Sequence, residues 1–137
     1  MDYCVFQKHA IELNTLPNPY PIETAINNKD IVVNPSVPNN TERFYDFLSN
    51  IGKGKTDKIR ITRYGYDNPE LAIKTILEFN GTFLLFTVSG GQVSPVTYYG
   101  NEIIYRYRQP DGPWQYFLKK CDNGEELVFS LYHYGIP

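Results

Sequence analysis

The chain has 137 residues, enough for one domain that buries a single core without help from metals or disulfides. Its hydrophobic content of 42% and charged content of 20% exclude a disordered chain and predict a globular one. The formal net charge of −2 provides no basic field to attract nucleic acid or an anionic membrane, so no nucleic-acid partner is expected.

Aromatic residues are unusually frequent: twelve Tyr, eight Phe and one Trp make up 15% of the chain. A domain of this size cannot bury so many tyrosines, so some rings are expected at the surface, where Tyr favours recognition. The composition therefore indicates binding through exposed rings.

Cys4 and Cys121 lie far apart and outside any metal-binding spacing, so a structural zinc site is not expected. They could form one disulfide in an exported protein or remain two independent thiols, and the sequence favours the thiols. No apolar run has the length of a transmembrane helix, and the first residues lack a signal-peptide pattern. We expect a cytoplasmic protein if the chain is full length, and a lipid-anchored extracytoplasmic one if a signal segment has been removed.

The first part of the chain shows a weak alternation of apolar residues up to Leu13, which predicts short strand pieces. Three prolines in LPNPYP then interrupt regular hydrogen bonding and indicate a connector. We expect residues 1–19 to be an N-terminal extension and residues 20–137 to be a single α+β domain.

Two short elements and one main helix are predicted next. Glu23–Asn28 is expected to be a short helix, and the β-branched Ile31–Val33 a short strand. The main helix is expected to be capped by Asn39, with Glu42 three residues later, and to end at Gly52. Its apolar stripe, spaced i, i+3, i+4 and i+7, predicts packing on a sheet and comprises Phe44, Phe47, Leu48 and Ile51.

Three antiparallel strands are predicted in the middle of the chain. Ile59 and Ile61 alternate with polar residues on the first, and the apolar residues of LAIKTILEF restart the alternation after a DNP turn. Asn80-Gly81 predicts a tight type I′ hairpin turn that leads into a third strand over Thr82–Val88.

The same segment carries a family resemblance. It combines GKGKTDK leading into IRITRY, the DNP turn and LEFNG with the upstream stretches YPIETAINNKDIVVN and ERFYDFLSNI. This combination resembles the family called domain of unknown function 4362, small proteins of Gram-positive bacteria that often carry a lipoprotein signal. The likeness extends from Tyr20 to Val88. It implies an α+β domain and no activity.

The second half of the chain is predicted to be a β-meander. A loop of about a dozen residues is expected from Ser89 to Asn101, a length that is often functional. Three strands are expected after it, over Glu102–Arg108, Trp114–Cys121 and Glu126–Tyr134. The predicted fold is α+β, with one main helix and a short preceding helix packed on a curved antiparallel meander of four to six strands.

The sequence contains no recognisable catalytic set. His9 lies in the N-terminal segment and His133 is expected at the edge of the core, and no motif of metalloproteases, serine hydrolases or nucleotide-binding loops occurs. The acidic residues around Asp122 lack the ligand order of a calcium loop. We therefore expect a protein that is not an enzyme and uses no cofactor or metal.

The leading functional interpretation is a non-catalytic binding or inhibitory module with a protein partner. It would act through an aromatic and basic sheet surface, because Tyr and Arg are the residues that interface hot spots favour. The residues expected there are Arg60, Tyr64, Tyr66, Tyr98, Tyr99 and Arg106. The alternative is a small-ligand carrier with a pocket between helix and sheet.

Arg63 shares a face with Ile59 and Ile61 if the alternation is strict. A lone buried charge is too costly to keep. We therefore expect its guanidinium to reach water at the end of the sheet, or to pair with a carboxylate such as Asp67 or Glu70.

Overall fold

A computed structural model describes residues 3–17, 20–33, 38–64, 72–90, 95–107, 114–121 and 124–131. Three helices and seven strands lie in this described part of the chain. The helices are α1 (Tyr3–Thr15), α2 (Ile22–Asn27) and α3 (Glu42–Gly52). The strands are β1 (Ile31–Val33), β2 (Asp57–Arg63), β3 (Ile73–Phe79), β4 (Leu84–Gly90), β5 (Val96–Tyr107), β6 (Trp114–Lys120) and β7 (Glu125–Leu131).

The seven strands form one sheet in the order β1 to β7. β1 and β2 are parallel, and every later pair of neighbours is antiparallel. The sheet curls until its two edge strands, β1 and β7, approach each other. The predicted α+β class is confirmed, but the sheet has more strands than the four to six expected, because the short β1 joins its edge.

The inner face of the sheet, defined by Ile59 and its neighbours across the ladder, carries the main core and packs against α3. Phe44 and Phe47 of α3 are completely buried, and the Phe44 ring stacks on Phe129 of β7 with centroids 4.3 Å apart. Leu48 and Ile51 are partly buried against the same core. The predicted apolar stripe of the main helix is confirmed.

The predicted cap of this helix is wrong. The N-cap residue is Thr41, and it makes no side-chain capping hydrogen bond. Asn39 lies outside the helix because its backbone N–H and carbonyl both bond to the backbone of Val32, which places it beside β1.

The outer face of the sheet, defined by Arg60 and its neighbours across the ladder, lies beneath the first two helices. α1 packs against β3 and β4, and its residues His9 and Leu13 are buried. The expectation of short strand pieces before Leu13 is therefore wrong. The spacing i, i+4 of these two residues puts them on one side of a helix, and contact with the sheet decides the conformation.

The short α2 and strand β1 agree with the sequence prediction. α2 extends over Ile22–Asn27 and buries Ala25 in a second, smaller core. The other buried members of this core are Tyr20, Val32, Tyr64 and Ala72. The second core therefore fixes α2 to one end of the sheet.

The hairpin between β3 and β4 differs from the predicted type I′ turn. Phe79 pairs with Leu84, so four residues connect the strands instead of two. The Asn80 side-chain oxygen accepts hydrogen bonds from the backbone N–H groups of Thr82 and Phe83, while only Gly81 has a positive φ, of 97°. The Asn80 side chain thus closes a wider turn, and β4 begins two residues later than predicted.

The prediction of a long loop from Ser89 to Asn101 is wrong, since most of this segment is strand. β4 continues to Gly90, and β5 begins at Val96, so Tyr98 and Tyr99 lie in the ladder opposite Phe86 and Leu85. Val96, Thr97 and the two tyrosines all favour extended backbone, which outweighs the nearby Pro95. A bulge follows at Gly100, where a Cβ atom would collide with the backbone oxygen of Lys119.

The last two predicted strands correspond to β6 and β7. The turn residues 65–70, the turn at 110–113 and His133 fall outside the described residues. Arg63 is half-buried, and its Nε has no hydrogen-bond partner among the described residues. Burial lowers the pKa of Arg63, partly countered by Glu126, and pairing with Asp67 or Glu70 stays a prediction because both lie outside the described part.

Replacing Phe47 by Ala tests the packing of α3 on the inner face. Because the side chain is completely buried, we expect the free energy of unfolding to fall by about 3–5 kcal/mol in urea melts. The exposed Asp46 on the same helix is the control, and Asp46→Ala should change stability by about 0.5 kcal/mol or less. A loss below about 1 kcal/mol for Phe47→Ala would contradict the helix-on-sheet packing.

Candidate functional site

Five of the six residues expected to form one binding surface lie in the described part of the chain, and the fold separates them. By the alternation of the ladder, Arg60 and Tyr99 lie on the outer face, whereas Tyr98 lies on the inner face beside Phe86. β2 and β5 are themselves separated by β3 and β4. Tyr66 lies outside the described residues.

Tyr64 is a core residue, and the expectation of an exposed ring is wrong for it. Only 4% of its surface is exposed, and its hydroxyl donates a 2.7 Å hydrogen bond to the backbone oxygen of Tyr20. Burial raises the pKa of this hydroxyl, as do the neighbouring Tyr20 and Asp30. The second core below α2 covers this end of β2, which no local pattern in the sequence reveals.

Arg60 is bound inside the protein by two carboxylates. Its Nε donates to Asp30 at 2.7 Å and its Nη1 donates to Glu12 at 3.0 Å, while the side chain is 18% exposed. Burial opposes the charge of Arg60, but Asp30, Tyr20 and Glu12 together outweigh it and raise the pKa of the guanidinium. This side chain therefore links α1 to β2 and to the residue that precedes β1.

Asp30 is a buried charge that three hydrogen-bond donors satisfy. Its side chain is 1% exposed and accepts hydrogen bonds from Arg60, from the Tyr20 hydroxyl at 2.7 Å and from the Thr62 hydroxyl at 2.9 Å. Burial, together with the negative charge of Asp30, raises the pKa of Tyr20 to about 12. A buried carboxylate with three donors is stable, whereas the same group without them would not be.

His9 forms a second polar contact between α1 and the outer face. Its Nε2 lies 2.7 Å from Glu78 Oε1, and its Nδ1 lies 3.2 Å from the Thr87 hydroxyl. The ring is 2% exposed. Helix α1 is thus attached to the sheet through hydrogen bonds and ion pairs as well as through Leu13.

A small open cavity lies where these polar contacts meet the start of β2. Its volume is about 230 Å³. Its charged lining residues are Glu12, Lys29, Asp30, Arg43, Lys58 and Arg60. The cavity therefore has four cationic and two acidic side chains around it.

An exposed group of aromatic rings lies beside the inner face, and we call it the aromatic patch: Tyr45, Tyr105, Trp114 and Tyr116. Tyr45 is 42% exposed and Tyr105 is 44% exposed. The Tyr105 ring lies 5.2 Å from both Trp114 and Tyr116, and Tyr45 meets Tyr116 edge-on at 6.2 Å. Contact with the buried Phe44 and Phe129 supports the patch from below.

Sequence reasoning missed most of this patch. The sequence does contain indications of the patch. Tyr45 interrupts the polar side of α3, and Trp114 and Tyr116 alternate on β6. What the sequence could not supply is the curl that brings β6 to α3. Tyr105 stood next to a predicted site residue, Arg106, but points to the opposite face.

Tyr98 and Tyr99 line a second shallow cavity of about 270 Å³ near the end of β6. Lys120 places its Nζ 4.9 Å from the centre of the Tyr98 ring. Cys121 lines the same cavity as an exposed free thiol, so it is not in a disulfide.

Arg106 is exposed and already paired. Its guanidinium donates to both carboxylate oxygens of Glu125, at 3.1 and 2.6 Å. The hydrogen bonds to Glu125 and the negative charge of its carboxylate raise the pKa of Arg106. A fork-to-carboxylate pair of this kind bridges β5 and β7, and any partner would have to compete with it.

Asp57, the first residue of β2, fixes α3 to the sheet through residues from both halves of the helix. Arg43 donates to both of its carboxylate oxygens, at 2.6 and 2.8 Å, and Asn50 donates to it at 2.9 Å. The hydrogen bonds from Arg43 lower the pKa of Asp57, against the effect of burial.

Within the described ranges, no three His, Cys, Asp or Glu side chains converge as metal ligands would. Glu12, Asp30, Asp57, Glu78 and Glu125 each accept hydrogen bonds from basic or hydroxyl groups of the protein. Among the described residues, no helix has both the length and the apolar character needed to cross a bilayer.

Comparison with known proteins adds no relative: no protein-family model, curated protein or solved structure matches the chain. The resemblance to the domain of unknown function 4362 family accordingly stays a prediction. The geometry of the described residues is the basis for any functional argument.

The Asp57 contacts predict a specific acid sensitivity. The folded state holds the pKa of Asp57 below its ordinary value of 3.8, so the unfolded chain binds the proton more readily. Its contribution to stability is therefore present above about pH 4 and is lost as the pH falls through the lowered pKa. Urea melts from pH 7 to pH 2.5 should show Asp57→Asn less stable than the wild type at pH 7, with the difference shrinking below pH 4.

The exposed Glu23 on α2 provides the control for this measurement. Glu23→Gln should change the free energy of unfolding at pH 7 by about 0.5 kcal/mol or less. If the difference between Asp57→Asn and the wild type were the same at pH 7 and pH 2.5, the carboxylate of Asp57 would not be the group that titrates.

Proposed function

We propose that the protein is a non-catalytic binding module that recognises a protein partner through the aromatic patch. The proposal rests on one observation. Tyr45 and Tyr105 are each more than two-fifths exposed, and their rings contact the half-buried Tyr116 and Trp114. Tyr and Trp are the residues most enriched at the energetically dominant centres of protein interfaces.

The physical advantage of such a patch is area without a large entropic cost. A Tyr or Trp side chain has few rotatable bonds, so little freedom is lost when a partner immobilises it. The patch rests on the Phe44–Phe129 stack, which is buried and holds Tyr116 from below. The rings are therefore supported in the free protein and need little rearrangement on binding.

The basic component of the expected surface does not belong to this proposal. Arg60 is occupied by Asp30 and Glu12, and Arg106 lies on the opposite face from Tyr105. Tyr98 and Tyr99 line a cavity that contains no residue of the aromatic patch. The module would thus recognise its partner mainly by apolar contact, with the tyrosine hydroxyls at the rim.

The alternative function is a carrier of small ligands, and the cavity between α1 and the start of β2 favours it. At about 230 Å³ this cavity is smaller than the sites of drug-sized ligands, which measure about 300–1,000 Å³. A protein partner accounts for the exposed rings, which the carrier function leaves unexplained.

The proposal is tested by removing both exposed rings, in the double variant Tyr45→Ala/Tyr105→Ala. The tagged wild type should capture a partner from a lysate of the native host, identified by mass spectrometry. Its affinity, measured with the purified partner, should fall at least tenfold in the double variant, about 1.4 kcal/mol. Each residue is more than two-fifths exposed, so the folded state should persist with a cooperative melt.

Phe83 offers a matched control, since its ring is 43% exposed but lies in the β3–β4 turn. Phe83→Ala should leave the affinity unchanged. Equal affinity of the double variant and the wild type would overturn the proposal, and a metabolite without any protein in the captured material would favour the carrier alternative.

A further inference from the structure

The cavity beside α1 has an excess of positive charge in its lining. Four cationic side chains surround it against two acidic ones, Glu12 and Asp30. The protein as a whole carries charge of the opposite sign, with a formal net charge of −2. The positive lining is therefore a local feature that the composition does not suggest.

Both acidic side chains of the cavity already accept hydrogen bonds from other side chains of the protein. Asp30 accepts from Arg60, Tyr20 and Thr62, and Glu12 accepts from Lys58 at 3.0 Å and from Arg60 at 3.0 Å. Burial would raise the pKa of Glu12, but the hydrogen bonds and charges of Lys58 and Arg60 outweigh it and lower that pKa. Glu12 thus stays ionised, and the contacts of both acids make them fixed parts of the wall.

The cations keep donors to spare. Arg60 uses two hydrogen bonds and a guanidinium carries five N–H donors, while Lys58 uses one of the three donors of an ammonium. Arg43 is held in place by Asp57 and also lines the cavity. The free hydrogen-bonding capacity of the lining is therefore mostly that of donors, which suits an anionic ligand.

Lys29 is the most informative of these residues because its backbone is unfavourable for a lysine. It follows α2 with a φ of 64°, in a helix-ending motif where its N–H bonds to Ile26 and the N–H of Asp30 bonds to Ala25. Glycine is the residue usually found at this position, since it adopts a positive φ without steric cost. No described acidic side chain pairs with the Lys29 ammonium.

We propose that this cavity is a binding site for a small dianionic oxyanion, a phosphate group carried free or as a small monoester. Lys29, Lys58 and the unused N–H groups of Arg60 supply the charge and the hydrogen-bond donors that such a group requires. The cavity, at about 230 Å³, suits a ligand smaller than a drug-sized molecule. No residue of the aromatic patch lines it, so the site is independent of the proposed function.

The experiment titrates the full chain with inorganic phosphate by calorimetry at low ionic strength, and compares the wild type with Lys29→Gly. This substitution removes the cation and, at the same time, the steric cost of the positive φ, because glycine has no Cβ atom. We expect Lys29→Gly to raise the melting temperature of the free protein and to weaken phosphate binding about tenfold. If Lys29 had only a structural role, the substitution would raise the melting temperature without weakening phosphate binding.

Two further variants keep the test decisive. Lys58→Gln should also weaken phosphate binding, whereas Lys119→Ala, which removes one positive charge on β6 outside the cavity, should not. A parallel titration with glycerol phosphate distinguishes the source of the anion: equal affinity indicates the free ion, and tighter binding indicates a monoester. The absence of saturable binding to either ligand, or equal losses in Lys29→Gly and Lys119→Ala, would overturn the proposal.

Discussion

The buried ion pair between Asp30 and Arg60 is the interaction on which the arrangement of the outer face depends. A carboxylate that is 1% exposed must be completely satisfied, and here Arg60, Tyr20 and Thr62 satisfy it from three directions. Arg60 in turn donates a hydrogen bond to Glu12. One connected set of contacts therefore joins α1, the segment before α2, the start of β1, and β2. A pair of this kind adds little net stability compared with apolar packing, but breaking it costs much, and it fixes which residues face each other.

This polar interior determines what is left for recognition. Because Arg60 and Tyr64 are used inside the protein, the only basic strand residue of the expected surface that remains exposed is Arg106, and Glu125 already binds it. The exposed rings are found instead where the curl of the sheet brings β6 next to α3. The cations that hold the outer face together also surround the cavity beside Lys29. The aromatic patch and the cavity are thus two consequences of one packing arrangement, in which charge is concentrated below α1 and rings are concentrated beside α3.

The sequence predicted those parts of the fold that depend on local periodicity. The stripe from Phe44 to Ile51, the strand containing Ile59 and Ile61, and the last two strands are all present. The outer face was misread because alternation marks Arg60 and Thr62 as solvent-facing, yet α1 and its partners bury them. That covering helix carries only a weak pattern of its own, and it is held largely by polar contacts of His9 and Glu12 with residues more than 40 positions away. Likewise, the aromatic patch joins one helix to two strands, so no single window of sequence contains it.

The most direct test of this account is a double-mutant cycle between Asp30→Asn and Arg60→Gln, measured by urea unfolding at pH 7. If the pair organises the outer face, each single variant should lose about 3–5 kcal/mol because it leaves a buried partner charge unpaired. The double variant should then lose less than the sum, with an interaction energy of about 1–3 kcal/mol. Losses that add to within about 0.5 kcal/mol would contradict the account, because Asp30 and Arg60 would then act independently.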